Sequence, residues 1–498
     1  MAGELVTEQA QNRQRMRVED QSAEKSTMTT ATNRWPPQVK FIVGNEACER
    51  FSFYGMKGIL ALYITNVLLQ TKDEATSVIH LFGFANYFMP LLGAWVSDRY
   101  WGRYHTILWI SLFYCLGHGV LATSDFIPTI EGKTLALYAG LGLIAFGSGG
   151  IKPCVSAFMG DQFKPEQRHL LQKAYAAFYW SINLGSFFSF LVIPALRKNF
   201  GYSWAFGVPG IFMAIATLIF WSGTKYYTRV PPARVSKRAG FFKVLFEALR
   251  RRAQRLPGQS FWDTARARFS HAEVDAAKSV GPILSIFALV PVFWALFDQT
   301  FSTWVLQGEK MVECRLWGWR IGPEEMLSAN PLLVMILIPI LTWGLYPLLG
   351  KLTTPLRRMS LGMFLAALSY IVVAMLQARI DAGGRLSVLW QTVPYIILTV
   401  AEVLVSTTGL EFAFREAAPE MKSTIMGFWN LTVALGNLLV TGITAFAGRI
   451  LSTGGGHGVS VTPTMFLFYA GLTFVVAILF SLIAARYRYR DEAAAQGR

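Results

Sequence analysis

Apolar stretches about 20 residues long recur along nearly the whole chain, and this repetition limits which folds the chain can adopt. A hydrocarbon core about 30 Å thick needs about 20 mostly apolar residues in each helix that crosses it. Only 15% of the 498 residues are charged, whereas soluble domains average roughly 25%. The sequence therefore predicts an all-α membrane protein with twelve spanning helices. The helices are expected near 39–68, 75–97, 105–123, 134–159, 174–197, 203–226, 279–305, 328–350, 358–378, 386–413, 423–449 and 462–486.

The net charge of +16 lies in loops and tails rather than on one folded face, so binding to nucleic acid is not predicted. Alternate loops differ in Lys and Arg content, since one set contains Arg99, Arg103 and Lys164 while the other set contains few basic residues. Because cytoplasmic loops carry most of the Lys and Arg of a membrane protein, both termini are predicted to be cytoplasmic. Residues 1–34 are polar and lack the apolar segment of a signal peptide.

A basic connector separates six predicted helices from the next six, as in transporters built from two helical bundles. Within the connector, Phe242, Leu245, Phe246 and Leu249 recur at helical spacing beside a cluster of arginines. This pattern predicts an amphipathic helix, which either lies along the inner membrane surface or packs its apolar side on the bundles. The predicted units are a disordered cytoplasmic tail at 1–37, a six-helix bundle at 38–226, a basic cytoplasmic linker at 227–278, a second six-helix bundle at 279–488 and a cytoplasmic tail at 489–498.

The first predicted helix contains four charged residues, Glu46, Glu49, Arg50 and Lys57. Each charge at the centre of a bilayer costs about 2.5–3.5 kcal/mol on insertion scales, so these side chains must face protein or an aqueous cavity. Steps of three and four residues place Glu46, Glu49 and Arg50 on one side of the helix. The fourth helix supplies Lys152 beside a glycine-rich run and Pro153. The alternative is a buried ion network that only joins helices.

In the second half, Asp298 and Glu402 are acids within predicted spans. A cavity with Arg50 and Lys152 on one side and Glu402 on the other suits a zwitterion, because the cations bind a carboxylate and the acid binds an ammonium group. Buried acids next to Arg50 are also groups that take up and release protons near neutral pH.

Several motifs resemble known transporter signatures. Residues 98–103, DRYWGR, are similar to the signature between helices 2 and 3 of the major facilitator superfamily, with one additional residue between Arg99 and Gly102. Residues 46–55, EACERFSFYG, resemble the helix 1 signature ExxERFxYYG of the proton-dependent oligopeptide transporter family. Residues 178–186, FYWSINLGS, and 293–299, FWALFDQ, resemble that family's patterns on helices 5 and 7.

The resemblance implies the major facilitator fold, with two six-helix bundles, and proton-coupled import of di- and tripeptides across the cell inner membrane by a functional monomer. It implies neither a cofactor nor a metal site. Proton coupling would involve Glu46, Glu49, Arg50, Lys152, His80 and Asp298. The peptide site would be lined by Arg50, Tyr54, Tyr87, Lys152, Asn183, Trp294, Asn330, Glu402 and Trp429. Lys57 and Asp298 would form a salt bridge that closes the outer face. Two residues depart from the family pattern: Phe53 replaces a tyrosine and Thr407 replaces a proline.

Two other functions were weighed. An enzyme is disfavoured because the sequence contains no HExxH motif, no GxSxG motif and no paired metal-ligand cluster. A proton-coupled symporter of nitrate or another small anion is the closer rival, because relatives with the same helix 1 motif transport such substrates. Glu402 favours a peptide, because an anion needs no acid to bind an amino terminus.

Overall fold

The computed structural model describes residues 35–232, 240–316, 318–345, 348, 354–451, 458–487 and 489. Most of the two predicted tails, 1–37 and 489–498, therefore lies outside the described residues. The described chain is almost entirely helical, apart from a hairpin of strands β1 (Cys314–Leu316) and β2 (Trp319–Ile321).

The helices before the linker form a first group. They are α1 (Val39–Asn66), α2 (Lys72–Val96), α3 (Gly102–Ala122), α4 (Ile130–Gly160), α5 (Arg168–Phe200) and α6 (Tyr202–Ser222). Local signals set several of their ends. Thr71 and Glu74 form a capping box at the start of α2, and the Thr129 side chain caps α4. The chain turns at Gly102 and at Gly201, where φ is +73° and +90°, conformations that glycine adopts most readily.

The linker contains α7 (Phe241–Arg250) and α8 (His271–Lys278). The second group follows, and it comprises α9 (Val280–Phe287), α10 (Val290–Phe297), α11 (Thr303–Gly308), α12 (Ala329–Pro339), α13 (Pro355–Asp381), α14 (Thr392–Glu402), α15 (Thr408–Glu416), α16 (Lys422–Leu451) and α17 (Pro463–Arg486). We call the end of the two groups that lies away from the linker the outer end.

The predicted span 279–305 is not one continuous helix. It is divided into α9, α10 and α11, and the segments His271–Phe287 and Val290–Phe301 meet at an angle of 46°. Pro291 at the start of α10 has no N–H to donate, which favours a break at this point. The expectation of a continuous helix was therefore wrong here. The break brings Asp298 to the end of α10, next to the turn Asp298–Phe301.

Within the described residues, eight helices are long and apolar enough to cross a membrane, or nine if the bent pair counts as one span. One of the eight, Lys72–Phe126, contains both α2 and α3. α1 is also 28 residues long, but its charged side chains lower its hydropathy. Membrane-spanning helices thus account for most of the described chain, while the expected number of twelve stays a prediction.

The two groups meet along α2 and α16 and along α5 and α12. Small residues allow close approach at the first of these contacts: a Cβ on Gly83 of α2 would lie 2.3 Å from Asn437 Oδ1 of α16. A similar approach occurs inside the first group, where a Cβ on Gly185 of α5 would lie 2.5 Å from the carbonyl oxygen of Ala47. Gly185 belongs to the FYWSINLGS motif, so this motif packs against the helix that contains Glu46 and Arg50.

Candidate functional site between the two helix groups

The α1 charges form a compact buried cluster. Arg50 Nε lies 3.0 Å from Glu46 Oε1 and 2.5 Å from Glu49 Oε2. All three side chains are buried. Desolvating buried charges offsets most of their mutual attraction, so stability alone is a weak reason to keep such a cluster. The structure thus brings together the two carboxylates and the guanidinium that the sequence placed on one side of this helix.

Lys152 of α4 lies beside this cluster on aromatic rings. Its Nζ is 4.1 Å from the centre of the Phe53 ring and 4.6 Å from the centre of the Tyr87 ring. Within the described part of the chain, this buried nitrogen has no hydrogen-bond partner. Phe53, the departure from the family pattern, therefore provides a ring face to a cation where a tyrosine is expected. Rings stabilise such a cation without neutralising it.

Glu402 and Asn330 of the second group are joined directly. Asn330 Nδ2 donates hydrogen bonds to Glu402 Oε2 at 2.7 Å and to Thr399 Oγ1 at 3.2 Å. After Glu402, residues Val403–Thr407 form a π-helical turn, a distortion that occurs often at functional sites. Thr407, the second departure, donates to the Val403 carbonyl oxygen at 2.5 Å, a helical contact within this turn.

Aromatic side chains line the region between these polar groups. The Trp294 and Trp429 rings lie 6.2 Å apart in a T-shaped pair, and the Tyr54 ring of α1 stacks at 6.1 Å on Phe301 of the second group. Asn183 donates to the Tyr179 carbonyl oxygen at 2.9 Å. Tyr54 therefore contacts the opposite group.

The two groups are in contact at this level, where the Tyr54 ring of the first group lies against the Phe301 ring of the second. The side chains of Tyr54, Tyr87, Lys152, Asn330 and Glu402 are partly exposed. Polar side chains that remain accessible within the helix groups of a membrane protein indicate a space that a polar ligand can enter.

The predicted outer salt bridge forms between the two groups. Lys57 Nζ lies 3.0 Å from Asp298 Oδ1, and Asn437 Nδ2 donates to Asp298 Oδ2 at 2.6 Å. His80 contacts Asn437 Oδ1 through Nδ1 at 2.8 Å and Ser302 Oγ through Nε2 at 2.9 Å. The structure therefore adds Asn437 and Ser302 to the gate predicted from Lys57, Asp298 and His80. Asn437 and Ser302 are identified only by their position in the structure, opposite Lys57, Asp298 and His80.

A second set of ion pairs holds the outer end, and the sequence analysis missed it. Arg197 at the end of α5 pairs with Glu324 at 2.7 Å, and Lys198 lies 3.0 Å from Glu325 Oε1 and 3.1 Å from Glu313 Oε1. The sequence signal for these ion pairs is two adjacent basic residues, Arg197 and Lys198, in the first half and two adjacent acids, Glu324 and Glu325, in the 306–327 segment of the second half.

Glu324 is fully buried at the outer end, beyond the predicted span. Burial raises the pKa of its carboxyl to about 7, although the neighbouring Arg197 lowers it. A further polar link lies at the start of α2, where Asp73 accepts hydrogen bonds from the backbone of Val459 at 2.9 Å and Ser460 at 2.7 Å. Together with Lys57 and Asp298, these contacts close the outer end between the two groups.

The DRYWGR motif forms an ion pair at the opposite end. Arg103 Nη1 lies 2.5 Å from Asp161 Oδ2 at the end of α4, and Arg103 Nη2 lies 3.9 Å from Asp98 Oδ1. The motif thus ties α2, α3 and α4 together on the linker side, as expected for a structural salt bridge.

Comparisons with known proteins agree with this geometry. A family model described as the POT family matches residues 104–458. Solute carrier family 15 member 2 of Danio rerio is 41% identical over 70% of this chain and 50% of its own length. Peptide transporter family 1 of Drosophila melanogaster is 39% identical over 70% of this chain and 49% of its own length. The chain thus spans about half the length of the curated relatives that it matches.

Solved structures match over nearly their whole length. The in meso crystal structure of the POT family transporter PepTSo superimposes with a TM-score of 0.82 at 41% identity, covering 91% of this chain and 99% of that one. An auto-inhibited POT family peptide transporter gives a TM-score of 0.81 at 40% identity, covering 91% and 98%. The likeness therefore includes both helix groups.

Proposed function

Because the chain belongs to the POT family of transporters, an integral multi-pass membrane family, we propose that it imports di- and tripeptides together with protons by alternating access. The observation that carries this proposal is the opposition of charges between the helix groups. Arg50 and Lys152 belong to the first group, and Glu402, held by Asn330, belongs to the second. A short peptide has a carboxylate and an ammonium group to match both sides.

Each side has room for one end of the substrate. The Lys152 ammonium is held by rings rather than by a carboxylate, so it is available to a peptide carboxylate together with Arg50. Glu402 Oε2 is oriented by Asn330, so its other oxygen is available to an amino terminus. Tyr54, Tyr87, Asn183, Trp294 and Trp429 would contact the backbone and side chains between the two ends.

Proton coupling is assigned to the α1 cluster and to the outer gate. When Glu49 or Glu46 takes up a proton, Arg50 loses an ionic partner and becomes free to bind the peptide carboxylate. Protonation of Asp298 would break its pair with Lys57 and let the groups separate at the outer end, with His80 close enough to relay the proton. Proton arrival and gate opening then become linked.

The finer architecture is proposed on the same basis. We assign twelve spanning helices in two six-helix bundles, at 38–226 and 279–488, with the linker and both termini in the cytoplasm. The excess of Lys and Arg on the linker side supports this orientation in a cell inner membrane. The protein is proposed to work as a monomer and to carry out transport rather than catalysis.

The test uses purified protein in liposomes. A labelled dipeptide should accumulate inside when the outside is acidic, and collapse of the proton gradient should stop the accumulation. Glu49→Gln should abolish gradient-driven uptake but retain exchange of labelled for unlabelled peptide. Glu131→Gln, at an exposed acid in the first turn of α4, is the matched control. Equal uptake with and without a gradient would reject the coupling, and competition by nitrate instead of peptide would favour the anion symporter.

A further inference from the structure

The linker helix α7 packs one face on the second helix group. Phe241, Val244 and Ala248 on this face are buried, and the Phe241 ring lies 5.5 Å from the Phe428 ring of α16 in an edge-on contact. The helix is therefore fixed to the transporter rather than free in the linker.

The other side of α7 exposes large apolar side chains, the first of which, Phe242, also lies 5.8 Å from the Phe428 ring. The exposed fractions are 65% for Phe242, 70% for Phe246 and 47% for Leu249. These residues are spaced by four and three positions, so they form one stripe along the helix. We call Phe242, Phe246 and Leu249 the apolar stripe. Contiguous exposed apolar side chains mark a surface that binds a partner or a membrane.

Two cations run beside the apolar stripe. Lys243 and Arg250, which we call the basic edge, are exposed and have no carboxylate within ion-pair distance in the described residues. The one acid of the helix, Glu247, is already occupied by Arg251 at 2.5 Å and by Arg268 at 3.2 Å. The free charge on this face is therefore entirely positive, which suits an anionic surface.

The position of α7 on α16 sets its depth. Phe428 is the seventh residue of α16, which begins at Lys422, so it lies about 9 Å from the helix end at about 1.5 Å per residue. The 30 residues of α16 span about 45 Å, which exceeds a hydrocarbon core of about 30 Å by about 7 Å at each end. α7 thus lies near the level where acyl chains meet headgroups.

From this placement we propose that α7 binds the anionic lipid leaflet on its side of the membrane. The apolar stripe enters the outer part of the acyl chains, and the basic edge pairs with the phosphates of anionic headgroups. An interfacial helix of this kind combines apolar burial with attraction to anionic lipid. Because α7 contacts Phe428, next to the predicted site residue Trp429, lipid binding is connected to a helix that lines the transport site.

The experiment places a bimane fluorophore at Phe246→Cys in the full chain, in a background whose four native cysteines are replaced. The protein is put into nanodiscs of equimolar phosphatidylcholine and phosphatidylglycerol, with brominated acyl chains on one lipid at a time. Brominated lipid should quench the label at 246, and brominated phosphatidylglycerol should quench it more strongly than brominated phosphatidylcholine. A label at Ala272→Cys, exposed in α8, gives the baseline in water.

The basic edge is tested by Lys243→Gln together with Arg250→Gln, which leave the buried face of α7 intact. Each neutralised charge should lower the preference for phosphatidylglycerol about fivefold, while quenching by brominated phosphatidylcholine persists. Equal quenching by the two lipids in the unaltered linker would overturn the anionic preference. Quenching of the label by iodide in the water would overturn the proposal. A label that neither iodide nor lipid quenches would also overturn it, because protein would then cover the apolar stripe.

Discussion

Asn437 donates a hydrogen bond of 2.6 Å to one oxygen of the Asp298 carboxylate, while Lys57 contacts the other oxygen at 3.0 Å. A buried carboxylate between two helix groups thus has one partner from each group. Removing Lys57 leaves a desolvated charge, a loss that commonly costs about 3–5 kcal/mol for a buried ion pair, whereas removing Asn437 takes away one buried hydrogen bond, at about 1–3 kcal/mol.

Charge reversal tests whether Lys57 and Asp298 interact directly. Lys57→Asp and Asp298→Lys should each lower peptide uptake by about tenfold or more, because each places like charges in a buried pair. The double variant should recover more uptake than either single variant. Uptake into liposomes measures this, with membrane insertion checked for all three proteins. A double variant no better than the worse single one would reject the gate.

Asn437→Ala should destabilise the closed outer end by about 1–3 kcal/mol, because Asp298 and His80 both lose a buried partner. The measurement is the distance distribution between nitroxides at Leu135→Cys and Phe446→Cys, exposed positions on α4 and α16. Longer distances should become more populated. Asn86→Ala is the matched control, since Asn86 is equally buried but donates within its own helix, to Phe82. An equal change in both variants would count against a specific role for Asn437.

Glu402→Gln should weaken binding of peptides with a free amino terminus by about tenfold to a hundredfold, the range expected for losing a charged hydrogen bond. N-acetylated peptides should lose much less, since they carry no ammonium group. Competition against a labelled dipeptide measures both affinities. Glu411→Gln, at an exposed acid on α15, provides the control. If both peptide classes were weakened equally, Glu402 would not bind the amino terminus.

The sequence predicted those parts of the site that depend on spacing within one helix. Glu46, Glu49 and Arg50 follow from steps of three and four residues. Asn330 and Glu402 lie on different helices, and only the family resemblance places both in the peptide site. The helix positions were also predicted to within a few residues wherever the apolar stretch was uninterrupted. Local periodicity suffices for such features, because helix geometry alone decides which side chains share a face.

Contacts between the two groups were harder to predict. Asn437 is one of several polar residues on α16, and nothing in its own segment shows that it lies opposite Asp298 and His80. The break before Pro291 was not predicted, because the whole segment is apolar and the missing N–H of one proline does not change that pattern. The contact of Asn437 with His80 depends on the register between α2 and α16, where Gly83 packs closely against Asn437.

The last prediction concerns the pH dependence of the outer end at Glu324. Burial raises the pKa of this carboxyl from 4.5 to about 7 in the closed structure, with Arg197 acting in the opposite direction, and exposure on opening would return it towards 4.5. The closed form then binds the proton more tightly than the open form, so acidification favours closure. This contribution begins as the pH falls through about 7 and is complete below about 4.5, amounting to at most about 3 kcal/mol. Glu324→Gln, which stays neutral, should flatten this part of the pH dependence and keep the outer end closed at pH 8 (about one pH step above the raised pKa).

Nitroxides at Asn199→Cys and Leu316→Cys, on the exposed end of α5 and in β1, report the local opening across this pH range. Glu313→Gln is the matched control, because Glu313 also contacts Lys198 but is exposed rather than buried. Lys198 and Glu325 are unchanged in both variants, so the ion pair between them is retained. If Glu324→Gln retained the full pH dependence, the response would belong to Asp298 and His80 instead. If acid opened the outer end in the unaltered protein but not in Glu324→Gln, the sign derived from burial would be wrong, and loss of the Arg197 pair would outweigh the relief of desolvation.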